Sequence, residues 1–172
     1  MRTPRRVVTG HDPDGWSVIV QDGPSPGRFA SGQWDELWAF TQLPASLTDA
    51  TDPAARDHFR LTPPAGQIAC RLFTVHPIGG EDRAAADAEW DARVDHAETE
   101  TTDRHPGDAW MHRTPTIDII VLISGAMELV LDSGEAVALL PGDSVVQRGT
   151  MHGWRNTGTE PCLAVAFMVR AE

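Results

Sequence analysis

The chain has 172 residues, 41% of them hydrophobic and 23% charged, and a formal net charge of −11. That length and mixture predict one soluble globular domain over residues 1–172, with enough residues to bury a substantial core. The acidic excess excludes a nucleic-acid backbone as partner, and no apolar run approaches the ~20 residues that span a membrane.

All 14 basic side chains are arginines and tyrosine is absent. Schiff-base chemistry through an internal amine and acid catalysis by a phenol are thereby removed. Arg2, Arg5 and Arg6 precede Val7-Val8 and then Thr9-Gly10-His11, with no signal-peptide apolar region, so a cytoplasmic location is expected. Cys70 and Cys162 each sit in an apolar strand-like run and read as buried thiols.

In chain order, residues 1–75 read as strands with a loop extension. Arg6–Thr9 and Trp16–Gln21 are two short strands around His11-Asp12-Pro13-Asp14-Gly15, a turn by composition. Trp34–Thr41 is a strand on which Trp34, Glu36, Trp38 and Phe40 would share a face. Leu43–Pro64, rich in Pro, Asp and Thr, reads as an irregular surface connection, and Gln67–Val75 returns to strand. Glu81–Glu98 is the helix, with acidic residues at its positive end and an apolar stripe of Ala86, Trp90, Val94 and Ala97. Two readings of it stand: packing on the outside of the body, or a cover over a site. Glu98–Asp108 reads as an exposed, mobile loop in which His105 either reaches a site or faces solvent.

Residues 107–170 carry the pattern of a meander. Ile117–Ile123 is apolar on both faces and predicts a central strand covered on each side. Ala126–Leu131 and Glu135–Leu140 flank the turn Asp132-Ser133-Gly134, and Ser144–Gln147, Gly153–Asn156 and Cys162–Arg170 follow. Many short strands between Gly, Pro and Asp turns predict an all-β barrel or sandwich with one added helix.

Two stretches carry candidate chemistry. In Met111–Asp118, read as a strand, His112, Thr114, Thr116 and Asp118 share one face. In Gly142–Asn156, Gly149, His152 and Asn156 follow the turn Pro141-Gly142-Asp143. Two imidazoles and a carboxylate at one point would form a facial metal site; a lone strand histidine is more often a hydrogen-bonded structural residue. Trp110 and Trp154 flank the histidines and read as pocket walls or core packing. Arg148, before His152, reads as a binder of a substrate carboxylate or as an exposed turn residue. Arg113 alternates outward and reads as a surface cation.

The spacing Gly107, four residues, His112-x-Thr114, three residues, Asp118, six residues, Gly125 resembles the first motif of the cupin superfamily. Gly142 leading to Gly149-x-x-His152-x-x-x-Asn156 is similar to the second, with Gln147 where that motif has proline. The run from Arg5 to Asp12 onward also looks like small single-cupin proteins of bacteria and fungi. The resemblance implies a cupin-type β-barrel (a double-stranded β-helix, or jelly roll). It puts His112 and His152 on ligand histidines, Asp118 on the ligand glutamate, and Thr114 where a third histidine is lost. It implies a divalent transition metal (Fe, Zn, Mn or Ni), with the two histidines also catalytic; Trp110, Thr114, Arg148 and Trp154 are the candidate substrate-binding residues, Thr114 also as a group that would hold a metal-bound water. The implied function is a small-molecule enzyme, an oxygenase, decarboxylase or isomerase acting on an oxygenated organic metabolite. The alternatives are a metal-free acid–base enzyme and a non-catalytic ligand-binding cupin. A homodimer is expected, the amino-terminal strands extending a sheet and pairing with a second copy.

Overall fold

The structure, a computed structural model, describes residues 3–79, 81–102 and 109–171. The first half contains β1 (Arg6–His11), β2 (Ser17–Gly23), β3 (Gly27–Arg28), β4 (Trp34–Phe40), β5 (Phe59–Arg60) and β6 (Ile68–Val75). Helix α1 (Glu81–Arg93) follows, then β7 (Val94–Asp95), β8 (Glu100–Thr101) and β9 (His112–Arg113). The remainder is β10 (Thr116–Ser124), β11 (Met127–Leu131), β12 (Ala136–Leu139), β13 (Ser144–Arg148), β14 (His152–Arg155) and β15 (Cys162–Arg170).

Two sheets make the body. One is six-stranded in the order β13-β10-β15-β6-β4-β3, the other five-stranded in the order β12-β11-β14-β9-β8. Alternation supplies each with one apolar inner face. Ile120, Leu122, Ala164, Ala166 and Met168 of the larger sheet pack in one core cluster with Met127, Leu129 and Leu139 of the smaller. Cys70 and Cys162 are buried free thiols, as expected. Burial pushes Cys70 up to about 11, which leaves it a poor nucleophile. No helix among the described residues is long and apolar enough to cross a membrane.

Several expectations are corrected. Met111–Asp118 is not one strand: pairing stops at Thr114-Pro115, sending β9 to the five-stranded sheet and β10 to the six-stranded one. Proline has no N–H for a ladder, so the break falls where the backbone chemistry puts it. A register shift between Glu36 and Trp38 interrupts β4. Trp34 and Glu36 stay inside, but Ala39 rather than Trp38 or Phe40 is buried beyond the bulge.

The helix ends at Arg93, and Val94–Asp95 pairs in parallel with Phe59–Arg60. The connection before β6 is therefore not wholly on the surface: Phe59, Leu61 and Thr62 are buried. Glu98, in a left-handed conformation, is ion-paired to Arg60 and Arg170, and Glu100–Thr101 joins β9, so this part of the acidic loop is ordered. His105 lies outside the described residues.

Strand β10 is paired on both sides, yet only one of its faces is covered: Ile117, Ile119 and Ile123 are exposed. The amino-terminal strands pair with each other as a separate hairpin instead of extending a sheet. Arg6 ties that hairpin to the Leu37 carbonyl and the Asp52 carboxylate.

Candidate active site

Strands β9 and β14 are neighbours, with His112 directly opposite His152. Residues so placed share a face, and here the ring centroids are 4.5 Å apart. Gly153 permits the close approach. A Cβ there would stand 2.9 Å from Ala109 Cβ, Met111 Sδ and the Trp110 carbonyl oxygen, so any side chain would push the segment carrying His112 away. Gly149, at φ +63, makes the left-handed turn that leads into β14.

Each imidazole is oriented from behind. His112 Nδ1 lies 3.3 Å from the Trp110 carbonyl oxygen and His152 Nδ1 lies 2.9 Å from that of Thr150. A carbonyl only accepts, so each Nδ1 carries its proton and donates it, and each Nε2 keeps a lone pair. Burial, with a smaller repulsion from His152, lowers His112 to about 3; burial also lowers His152. Both rings are neutral at physiological pH.

Both rings line a cavity of about 420 Å³ between the sheets. Trp110 stacks on His112 at 4.3 Å and 21°, and Trp154 meets His152 edge-on at 5.4 Å. The wall continues through Phe73, 6.0 Å from Trp154, and through Trp90, 6.3 Å from Trp110 and 5.0 Å from Trp34. Helix α1 contributes Arg83, Asp87, Trp90 and Asp91 to the same cavity. The helix therefore both packs on the body, through Trp90 on Trp34, and forms part of the cavity wall. From the larger sheet come Arg71, Asp118, Ile120 and Met168.

Arg71 and Glu36 are a buried ion pair, Nε to Oε2 at 3.1 Å, with side chains 3% and 2% exposed. Arg71 also donates to the carbonyls of Leu61 (2.8 Å) and Arg60 (3.2 Å) and lies 4.4 Å from the Trp34 ring centre. Asp118 is 4% exposed and its Oδ1 is buried with no hydrogen-bond partner. Burial raises its carboxyl to about 6 against the opposing help of the Thr116 hydroxyl and the Arg71 charge.

The expected residues thus divide. His112, His152, Trp110, Trp154 and Asp118 line one cavity. Thr114 does not: it is buried in the crossing between the sheets, its hydroxyl 2.7 Å from that of Thr116. Arg148 does not either. It closes β13 on the outer face, because its neighbour Gln147 points inward and side chains alternate. Arg113 is an outer cation paired with Glu100. Trp34, Phe73, Arg71 and Asp87 are cavity residues that the spacing did not reveal, since long-range strand pairing brings in the first three and packing of helix α1 the last. His76 lines the cavity, and His96 meets Trp110 edge-on at 5.7 Å, though neither had a spacing that gathered it.

The two Nε2 lone pairs, each backed by an Nδ1 hydrogen bond, fit the way imidazoles hold a divalent transition metal. The expected trio of His112, His152 and Asp118 is another matter. Among the described residues, no three His, Cys, Asp or Glu side chains are arranged to hold a metal ion. Asp118 approaches from the facing sheet, and a carboxylate one methylene shorter than glutamate has less reach.

Residues 94–168 match the family model described as a cupin domain. Phomopsin biosynthesis cluster protein C′ of Diaporthe leptostromiformis is 35% identical over 164 residues, covering 91% of this chain and 72% of its own length. The chain belongs to the cupin superfamily. This cupin is also 30% identical over 165 residues to the cupin-domain-containing oxidoreductase srdB of Neurospora crassa, covering 93% of the chain and 69% of that protein. Among solved structures, it is similar to a Cupin 2 conserved barrel domain protein from Salinispora arenicola, with 19% identity and a TM-score of 0.38. That likeness covers 60% of this chain and 64% of the other.

Proposed function

We propose that this cupin is an oxidoreductase acting on a small, oxygenated aromatic metabolite, with His112 and His152 as the reacting centre. The observation that carries the proposal is the pair itself: two neutral imidazoles with unused Nε2 atoms, their ring centroids 4.5 Å apart, in a cavity walled by tryptophan. Relatives named as cupin-domain-containing oxidoreductases support the reaction class. Four of the six tryptophans line the cavity, and they favour a planar guest held by stacking.

The residues have separate roles in this reading. Trp110 and Trp154 hold the guest against the histidines, and helix α1 keeps bulk water off one side. The Nε2 atoms either accept a proton from the guest or hold a divalent transition metal (Fe, Zn, Mn or Ni). Such an ion would supply a Lewis-acid and redox position for an oxygenated group. The test is to incubate chelator-free protein in air with aromatic phenols, alcohols and aldehydes and follow product mass. Turnover that disappears in the His112→Ala, His152→Ala double variant, together with any bound metal, supports the enzyme. Aromatic guests that bind and are recovered unchanged support the non-catalytic reading instead.

A second copy of the chain is the expected partner. Ile117, Ile119, Ile123, Val146, Phe167 and Val169 are 41–62% exposed on the outer face of β10, β13 and β15. They present on the order of 500 Å² of apolar surface, most of the roughly 800 Å² that each partner contributes to a stable dimer. An Ile119→Glu, Phe167→Glu variant should sediment as a monomer where the parent sediments as a dimer. A parent that is already monomeric would remove the proposal.

A further inference from the structure

We infer that Asp118 is the hydrogen-bond acceptor that selects the guest, taking an O–H or N–H from an aromatic molecule in the cavity, and that it stands outside any metal-binding set. The first support is position. His112 and His152 belong to the five-stranded sheet and Asp118 to the six-stranded one, so the carboxylate and the imidazoles face each other across the cavity. Facing sheets lie about 10 Å apart, a separation that side chains and a planar guest can share.

The second support is an incomplete set of bonds. Asp118 Oδ1 is buried without a partner, although the Thr116 hydroxyl and the Arg71 charge both favour the carboxylate. Gln147, its cross-strand neighbour, spends its amide on the Thr150 carbonyl (3.0 Å) and hydroxyl. The two terminal nitrogens of Arg71 are engaged by Glu36 and by the carbonyls of Leu61 and Arg60, and its Nε, ion-paired with Glu36, makes no hydrogen bond to Asp118. A buried acceptor left in this state carries an uncompensated desolvation cost, which a guest bearing a donor would remove and a guest lacking one would not. Sites built around such a group discriminate strongly against analogues without the matching hydroxyl.

The inference rests on the cavity taking aromatic guests, and the experiment separates the two. Calorimetric titration of the full chain with 2-naphthol and with 2-methoxynaphthalene compares a donor with its blocked twin. The parent should bind the naphthol at least ~10-fold more tightly. Asp118→Ala should bind the two within about twofold. Asp118→Asn, which preserves shape and one acceptor, should fall between them and guards against a folding failure of the alanine variant. Zinc titration of the same proteins should give matching affinities. Equal binding of both probes to the parent overturns the role of Asp118 alone, as does a loss of zinc affinity of more than ~10-fold in Asp118→Asn. Failure of both probes to bind the parent overturns the aromatic reading and the role of Asp118 with it.

Discussion

Two pairs of buried polar side chains meet the same cavity, one of them through Arg71 alone, and they differ in how much of their bonding capacity is used. Arg71 and Glu36 are paired at 3.1 Å, and Arg71 is further held by two backbone carbonyls and a tryptophan face. His112 and His152 each spend one nitrogen on a backbone carbonyl and leave the other open. The first pair neutralises its own charges, with only Arg71 Nε lacking a hydrogen bond, and holds strands β4 and β6 in register, where Glu36 stands opposite Arg71. The second is oriented yet incomplete, and groups with spare capacity in a cavity are the ones that can engage a guest or an ion.

The largest effect expected from this contrast is on stability. Arg71→Met strands the Glu36 carboxylate in the core and should cost about 3–5 kcal/mol in denaturant unfolding. His112→Gln and His152→Gln keep a polar side chain and should lower stability far less while abolishing turnover. Comparable destabilisation by the histidine and arginine variants would erase the distinction.

The acid response should sharpen it further. In metal-free protein, His112 stays neutral down to about 3 and His152 is likewise lowered, whereas the unfolded chain takes up these protons near 6.5. The unfolded state therefore binds more protons below about pH 6.5, and stability falls as pH drops from there. Asp118 works the other way. Its folded carboxyl accepts a proton at about 6, before the unfolded one does, so over that window it favours the fold as pH falls. Burial raises the Asp35 carboxyl in the same sense as Asp118, and the two imidazoles, whose unfolded-state protonation falls within this window, predict a net loss of thermal midpoint between pH 7 and 5. His152→Gln should flatten that slope and Asp118→Asn should steepen it. A midpoint that rises on acidification would contradict the burial of both rings.

How much of this was legible in the sequence follows from the range of each signal. The histidine pair was found because turn chemistry and a strand period of two act locally, and each ring depends on a few neighbouring residues. Asp118 was misread as sharing the His112 strand because Pro115 divides that segment between two sheets, a topological event with only one residue to announce it. Of the two readings of Arg148 the exposed one holds, because a single step along β13 separates the inner face of Gln147 from the outer face. Trp34, Phe73 and Arg71 are contributed by strands far away in the chain, and no local pattern marks them as cavity residues. The exposed isoleucines of β10 show the reverse limit: an apolar strand signals two faces to be covered, but not that one of them stays exposed among the described residues.

The most direct examination of the histidine pair is nitrogen NMR of metal-free protein carrying labelled histidine, with His112 and His152 assigned through their glutamine variants. At pH 6 both rings should be neutral with the proton on Nδ1, and both Nε2 resonances should move when zinc or an aromatic guest is added. A ring that is protonated at pH 6, or that carries its proton on Nε2, would contradict the pair as the reacting centre.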